Sequence, residues 1–350
     1  INLFMRRAKT SDSNLCLLKN EGAILPLNDL EKNTTYLCMG DSSEAFRTTL
    51  TLYDSAKFLV KSSPMDRVRW DSIQTERLVV SIHGRSLTKE KDWNACFRTL
   101  ATMPRFEEAI LVVFGKLPET LSLPLTSFQA IVIGPDNTPF TQERAAQKLM
   151  GAIPFSGKTS TAMGSFPQGS GLGTEWNGRL RFAYPEEFGI SKSSFDGIDQ
   201  LAIKGIKAGA YPSCQIVVAY QGAILYRKAF GTMTYDPESI TITNNHLYDI
   251  ASITKIASST LAAMHLVHKG SLAINNSLKT YLPELTRSSP YGNINITEMM
   301  CHQAGLQAFI PFYKNTLSNG LPSSNHYSTI QSESFPTTVA DNLYLKAGYR

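Results

Sequence analysis

The strongest constraint on the fold is a set of four short apolar runs, each of which ends at a glycine. Strands that lead into tight turns often end in this way, and strands buried on both faces are continuously apolar. Amphipathic stretches at residues 44–53, 93–103 and 141–150 predict helices between the runs. The pattern predicts an α/β domain in which a mostly parallel sheet carries helices on both faces. The four runs are residues 35–40, 78–84, 109–115 and 130–134.

A change in composition indicates where this first region ends. Residues 156–177 are rich in Gly, Ser, Thr and Pro and show neither helical nor strand periodicity. At roughly 150 residues per domain, a chain of 350 residues favours two domains. We therefore predict a first domain over residues 1–165, a linker over 166–180 and a second domain over 181–350.

Composition and charge exclude several classes of function. Hydrophobic residues make up 42% of the chain and charged residues 18%, as in folded proteins. The net charge of +5 is spread out, without a basic block of about five residues, so no nucleic-acid partner is predicted. No apolar run approaches the roughly 18 residues that span a bilayer. The chain begins with Ile1 and has no secretory-signal pattern, which predicts an excised piece of a longer protein.

The cysteines and glycines give no reason to expect a metal or cofactor. The five cysteines include no C-x-x-C pair and are predicted to be core thiols. The glycines at 169, 171 and 173 follow no strand and precede no Lys-Ser/Thr, so they do not fit a phosphate-binding loop.

The second region combines a predicted hairpin with two predicted helices. Apolar runs at 214–220 and 223–230 flank Gln221-Gly222, as expected for a two-residue turn. Residues 195–208 have helical spacing. A second helix is predicted over 249–270, with Gly270 at its stop position and Ser252 in its first turn.

Ser252 and Lys255 fit the pattern S-x-x-K, which places both side chains on one helix face. A serine hydroxyl attacks acyl groups poorly unless a base takes its proton, and a lysine in its neutral form is such a base. We therefore predict Ser252 as the nucleophile and Lys255 as its base. Ser86 and Lys89 match the same pattern, but their polar surroundings (GRSLTKEKD) indicate a solvated turn.

Several segments around Ser252 resemble class C β-lactamases and penicillin-binding proteins. The resemblance implies an α+β, transpeptidase-like domain of which this chain contains the N-terminal half, with an acyl-enzyme on Ser252. His302 would then be structural. The matching segments, in order, are residues 215–231, 247–255 (LYDIASITK), 270–272 (GSL), 281–283 (YLP) and 302–306 (HQAGL).

Two further motifs of that family are not found. Its second motif contains a tyrosine, but Tyr291-Gly292-Asn293 and Tyr313-Lys314-Asn315 lie at unsuitable positions and are predicted to be turn or surface residues. Its third motif ends in Thr/Ser-Gly, and Lys346-Ala347-Gly348 lacks the hydroxyl. We therefore expect the chain to stop midway through this domain.

The first region resembles the C-terminal α/β domain of family 3 glycoside hydrolases. The resemblance is carried by residues 14–27 (NLCLLKNEGAILPL), the run that ends at Gly40, and residues 145–157. In that family the catalytic aspartate lies on a preceding (β/α)8 barrel, so no glycosidase residue is assigned here. Residues 17–21 are predicted to form a helix end and turn, with a loop facing the barrel's sugar site as the alternative.

Together the resemblances imply a bacterial fusion of a β-N-acetylglucosaminidase-like barrel, this α/β domain and a β-lactamase-like domain. The implied function is a serine acyl-hydrolase acting on cell-wall peptide or a related amide or ester, with a peptidoglycan-derived peptide or amino sugar as partner. The implied location is the bacterial periplasm or envelope. The alternative is an inactive accessory segment that binds glycan or peptidoglycan, and nucleotide binding by the sheet rests on fold class alone.

Overall fold

The computed structural model describes residues 13–40, 42–55, 57–63, 66–84, 89–115, 117–118, 124, 126–163, 165–287 and 289–349. Contacts between residues divide the chain into two compact units, Ile1–His246 and Leu247–Arg350. The predicted domain boundary at 166–180 is a different division, and it stays a prediction.

The first unit is built on a six-stranded sheet in the order β1-β6-β5-β4-β2-β3. Strands β2 to β6 are parallel, and β1 pairs antiparallel with β6 at one edge. Two helices connect strands of the sheet and a third follows β6, so the predicted α/β class and mostly parallel sheet are confirmed. The strands are β1 (Cys16–Asn20), β2 (Thr34–Met39), β3 (Lys57–Lys61), β4 (Arg77–His83), β5 (Glu108–Phe114) and β6 (Ala130–Gly134), and the helices are α1 (Glu44–Leu50), α2 (Glu90–Ala101) and α3 (Pro139–Leu149).

Each face of the sheet has its own apolar core, because successive side chains of a strand point to opposite faces. On one face, Leu111 and Val113 of β5 pack in the cluster that contains Trp93 of α2. On the other face, Val112 and Phe114 pack in the cluster that contains residues of α1 and α3. The predicted helices on both faces are therefore confirmed.

The glycine after β4 is explained by close packing against α2. A Cβ atom on Gly84 would lie 2.4 Å from the Trp93 ring, so no larger residue fits there without movement. At the start of α3, the Thr138 hydroxyl accepts a hydrogen bond from Thr141 N, and Pro139 occupies the first turn.

The two edge strands of the sheet, β1 and β3, were not predicted from the sequence. β3 is short and has lysines at both ends, a composition that protects an exposed edge but obscures its apolar pattern. The prediction of a helix end at 17–21 is wrong, because Cys16–Asn20 is strand β1 and only Glu21–Ala23 forms a short 3-10 turn. Pairing with β6, more than a hundred residues away in sequence, decides this, and no local signal reports it.

The predicted linker makes backbone hydrogen bonds to the first unit, which we call the sheet unit. Leu172 N donates to Leu17 O at 2.7 Å, and Thr174 N donates to Phe155 O at 3.1 Å. Gly171 has φ +156°, and a Cβ there would lie 2.1 Å from Gly157 O. Glycine is therefore required where these two segments cross.

The remainder of the first unit is a helix and a small sheet. β8 (Ser213–Tyr220) and β9 (Ala223–Gly231) form an antiparallel hairpin, and β7 (Arg181–Phe182) pairs parallel with β9. Gln221 and Gly222 both have positive φ, as a tight two-residue hairpin turn requires. The predicted hairpin is confirmed, and helix α4 (Asp196–Lys207) matches the prediction for 195–208.

The second unit consists of short elements. Among the helices that the structure describes, none combines the length and apolar character needed to cross a membrane. The helices are α5 (Leu261–His268), α6 (Leu278–Tyr281), α7 (Pro283–Thr286) and α8 (Ile296–Met300), and the strands are β10 (Leu317–Ser318), β11 (Leu321–Pro322), β12 (Tyr327–Ser328), β13 (Thr337–Ala340) and β14 (Leu343–Leu345).

Candidate active site

Ser252 lies in a tight turn that precedes the helix. The Asp249 carboxylate accepts a hydrogen bond from Ala251 N at 2.7 Å, and Ala251 has φ +41°. Backbone bonds from Ile253 N to Ile250 O and from Lys255 N to Ser252 O complete the turn. A left-handed backbone is costly for alanine, and such strain is often retained where a side chain must be aimed.

The predicted helix over 249–270 is shorter than expected and not uniform. Residues Lys255–Thr260 form a π-helix, and α5 follows directly. Ser252 therefore precedes the helix instead of lying in its first turn. The stop at Gly270 is confirmed, since this residue has φ +70° just after α5. Single π turns inside helices often occur at functional sites.

The structure brings Ser252 and Lys255 together as the S-x-x-K spacing predicts. Lys255 Nζ donates to Ser252 Oγ at 2.8 Å, within the normal range of a strong hydrogen bond. Both residues are exposed in the second unit, so the hydroxyl is open to a substrate from solvent. The pair has the contact that proton transfer from a serine hydroxyl to a lysine amine requires.

The other motif residues lie apart from this pair. Among the described residues, no hydrogen bond joins Ser252 or Lys255 to Tyr291 or Tyr313, whose side chains are 55% and 51% exposed. Asn293 accepts a hydrogen bond from Lys279 Nζ at 2.8 Å, which is a structural role. Ser86 lies outside the described residues.

Two other predicted positions form turns or backbone links. His302 has φ +60° just after α8, which fits the predicted structural role in a turn. Lys346 N donates to His326 O at 2.9 Å next to β14.

A buried polar cluster in the first unit was not predicted. His83 Nδ1 lies 2.9 Å from Asn137 Oδ1, and His83 Nε2 lies 3.0 Å from Ser81 Oγ. Because Asn137 Oδ1 only accepts, His83 Nδ1 is the donor in its contact with Asn137. This order of groups resembles a Ser-His-Asn arrangement.

Burial rules out a catalytic role for this cluster as it stands. Ser81 and His83 are both 0% exposed, so no substrate reaches them. The Gln142 amide also donates to Asn137 Oδ1 at 2.8 Å and ties the cluster to α3. The cluster therefore fixes the end of β4. The one sign of it in the sequence is a histidine at the end of an apolar run.

Candidate metal ligands do not cluster in the part of the chain that the structure describes: no group of three or more His, Cys, Asp or Glu side chains lies together there. Of the five cysteines, Cys16, Cys38 and Cys96 are buried, as predicted for core thiols. Cys214 is partly buried, and Cys301 is exposed, contrary to that prediction. Burial raises the pKa of Cys16 to about 11, although Lys148 and Lys158 act against the shift. This thiol is therefore protonated and unreactive at neutral pH.

The segment that contains Ser252 and Lys255 is similar to known proteins. Residues 198–319 match the family model described as "Beta-lactamase", a segment that contains Ser252 and Lys255. A putative D-alanyl-D-alanine carboxypeptidase of Salmonella agona is 26% identical over 163 residues, which are 43% of this chain and 38% of that protein. The corresponding Salmonella enteritidis protein has the same identity and coverage. The chain thus spans 38% of the length of these relatives.

Solved structures similar to the chain include two glycosidases. One is a β-glucosidase from Listeria innocua in complex with isofagomine, with a TM-score of 0.36, 16% identity and coverage of 47% of this chain and 27% of that one. The other is a family 3 β-N-acetylglucosaminidase from a Paenibacillus strain, with a TM-score of 0.33, 17% identity and coverage of 46% and 31%.

The family match confirms the β-lactamase-like character predicted for the second region. Residues 198–319 are similar to the β-lactamase family, whose model they match. The α+β character expected of this region fits its short helices and antiparallel strands.

Proposed function

We propose that this chain supplies the nucleophile and base of a serine acyl-hydrolase that acts on cell-wall peptide or a related amide or ester. The observation that carries the proposal is the 2.8 Å contact between Lys255 Nζ and Ser252 Oγ. It lies inside the segment that matches the β-lactamase family model. The exposed position of both side chains leaves the hydroxyl accessible.

The proposed reaction proceeds in two steps. Ser252 Oγ attacks the substrate carbonyl carbon while its proton passes to the neutral amine of Lys255, and a C–O bond forms. The tetrahedral intermediate then collapses, the bond to the amine or alcohol breaks, and the leaving group takes the proton from Lys255. Water hydrolyses the acyl-enzyme, releases the acid and restores the Ser252 hydroxyl.

The substrate class and location are part of the proposal. The relatives named as putative D-alanyl-D-alanine carboxypeptidases support a peptide substrate, and we propose the bacterial periplasm or cell envelope as the location. The sequence resemblance of the first region supports a larger protein that also carries a β-N-acetylglucosaminidase-like barrel. A peptidoglycan-derived peptide or amino sugar is then the expected partner.

A second candidate function is binding without turnover. The observation that favours it is that Lys255 is exposed and, among the described residues, its only side-chain partner is the Ser252 hydroxyl. A catalytic base is usually oriented by a third group, and none of the described side chains does this for Lys255. In this case the region would serve as an accessory glycan-binding or peptidoglycan-binding segment.

Intact mass spectrometry distinguishes the two functions. The wild-type chain is incubated with benzylpenicillin and, separately, with a fluorophosphonate probe. We expect a gain of one probe-derived group on wild type and none on Ser252→Ala. The acylation rate of Lys255→Ala should be at least about 100-fold lower than that of wild type, because this variant lacks the base.

The matched control is Ser86→Ala, which removes the serine of the other S-x-x-K copy and should label like wild type. Persistence of labelling in Ser252→Ala would refute the assignment of the nucleophile. No labelling of folded wild-type chain by either probe would favour binding without turnover. Retention on insoluble peptidoglycan, unchanged by Ser252→Ala, would then support the second function.

A further inference from the structure

A cavity in the first unit lies where the predicted linker meets the hairpin. Its volume is about 480 Å³, within the range of roughly 300–1,000 Å³ for small-molecule sites. It is lined by residues 152–154 after α3, by Trp176, Arg181 and Glu187, and by the turn at Gln221-Gly222. None of these residues belongs to the Ser252 site.

Trp176 is an exposed aromatic side chain held in a fixed position. It is 56% exposed, yet its indole Nε1 donates to Arg179 O at 2.8 Å. The segment around it is anchored, since Asn177 Nδ2 donates to Met150 O at 3.0 Å and Arg179 Nη1 donates to the same carbonyl at 2.7 Å. The ring therefore presents apolar area to solvent without the freedom of a mobile surface side chain.

Some polar groups beside Trp176 already have hydrogen-bond partners in the protein, and others are available to a ligand. Both Glu187 oxygens are used: Oε2 lies 2.5 Å from Arg144 Nη2 and 2.8 Å from Arg181 Nη1, and Oε1 accepts from Tyr184 N at 3.0 Å. Arg181 has donors beyond Nη1, and its side chain is 25% exposed.

Gln221 has an available acceptor. Its Nε2 donates to Tyr220 Oη at 3.2 Å, and among the described residues its Oε1 makes no hydrogen bond. The cavity thus offers a flat apolar ring, guanidinium donors and an amide acceptor.

We propose that this cavity binds a hexopyranose unit of a glycan chain, stacked on Trp176 and hydrogen-bonded by Arg181 and Gln221. A pyranose ring presents a face of C–H groups and a rim of hydroxyls that both donate and accept. This combination matches the three available groups of the cavity. The site is independent of Ser252 and would hold glycan on the sheet unit whatever reaction the second unit performs.

Shape and composition favour a sugar over a peptide. Proline-rich peptides also pack on tryptophan, but they bind in grooves lined by several aromatic side chains. Trp176 is the one aromatic residue among the described residues that line this cavity. An open cavity with a single aromatic side chain fits one ring better than an extended chain.

The test is isothermal titration calorimetry of the full chain with chitotetraose, a neutral chain of β-linked N-acetylglucosamine. We expect saturable binding to wild type and to Ser252→Ala. Trp176→Ala should weaken it about tenfold, the size of a good aromatic contact, and Trp176→Phe should weaken it less. Asparagine also suits the turn, but its shorter side chain moves the amide away from the cavity. Gln221→Asn should therefore weaken binding by less than Trp176→Ala does.

The matched control is Tyr235→Ala, because Tyr235 is 57% exposed in the same unit but does not line the cavity. Its binding should equal that of wild type. The proposal is overturned if wild type does not bind chitotetraose, or if Trp176→Ala binds as tightly as wild type with an unchanged thermal unfolding temperature. It is also overturned if a polyproline peptide binds through Trp176 and the sugar does not.

Discussion

The six-stranded sheet of the first unit and the second unit differ most in how far their apolar side chains are buried. In the first, whole strands are buried, and Leu111, Val112 and Val113 are each 0% exposed. In the second, Ile296 is the one apolar side chain that is fully buried among the described residues, whereas Leu247 is 98% exposed and Ile256 is 71% exposed. Burial of apolar area is the main favourable term in folding, so the sheet unit contains its own source of stability.

The candidate active site and the buried apolar core therefore lie in different parts of the chain. The Ser252 turn is shaped by local hydrogen bonds, from Ala251 N to Asp249 and from Lys255 to Ser252 itself. The sheet, by contrast, depends on pairings between distant segments. A substitution should therefore act very differently depending on which unit contains it.

The largest effect is expected in the core of the sheet. Phe114 is 0% exposed and packs against His83 and Phe46, with ring centroids 4.9 Å and 5.3 Å away. Phe114→Ala should lower the free energy of unfolding by about 3–5 kcal/mol. The measurement is urea denaturation followed by the fluorescence of buried Trp93. The control Phe309→Ala, at a 65% exposed position of the second unit, should leave the transition in place.

An intermediate effect is expected at a partly buried ion cluster of the sheet unit. Burial alone would raise the pKa of Glu108, but hydrogen bonds from Lys32 and Arg77 outweigh burial and lower it below its ordinary value near 4.5. A carboxylate with a lowered folded-state pKa stabilises the fold above its ordinary pKa, and this stabilisation is lost as pH falls through the folded value.

Glu108→Gln should therefore cost about 1–3 kcal/mol at pH 7, because Arg77, with its side chain 3% exposed, loses its charged partner. The difference from wild type should shrink below about pH 4.5 and vanish at lower pH. The measurement is the urea midpoint at a series of pH values. A difference that is constant with pH would show that the Glu108 charge contributes nothing.

The smallest effect is expected on α5 of the second unit. Leu261 is 56% exposed, so Leu261→Ala should change the free energy of unfolding of the sheet unit by under about 0.5 kcal/mol. The same urea experiment measures it. A decrease in the free energy of unfolding above about 1.5 kcal/mol would contradict the difference between the units, because it would show that Leu261 is packed in solution.

The sequence predicted the parts of the fold that have local signals. The apolar runs at 78–84 and 109–115 differ by one residue at each end from β4 and β5, and the hairpin around Gln221-Gly222 is as predicted. β1 was missed because its pairing partner lies more than a hundred residues away in sequence, and local propensity does not report such a contact.

The candidate active site was predictable as a pair but not in its geometry. The spacing of Ser252 and Lys255 predicted their contact, because residues three apart in a helical turn share a face. The left-handed Ala251 and the π-helix after Lys255 were not predicted, since backbone strain has no signature in residue type at these positions.

The sequence by itself determined that Ser252 and Lys255 lie in contact and where the central strands lie, because both depend on near neighbours in the chain. Only the tertiary structure decided that Leu172 bonds to Leu17 of β1 and that Trp176, Arg181 and Gln221 share one cavity. The physical reason is that such sites form from segments that are far apart in sequence. Their stability comes from hydrogen bonds and burial that exist only once the chain has folded.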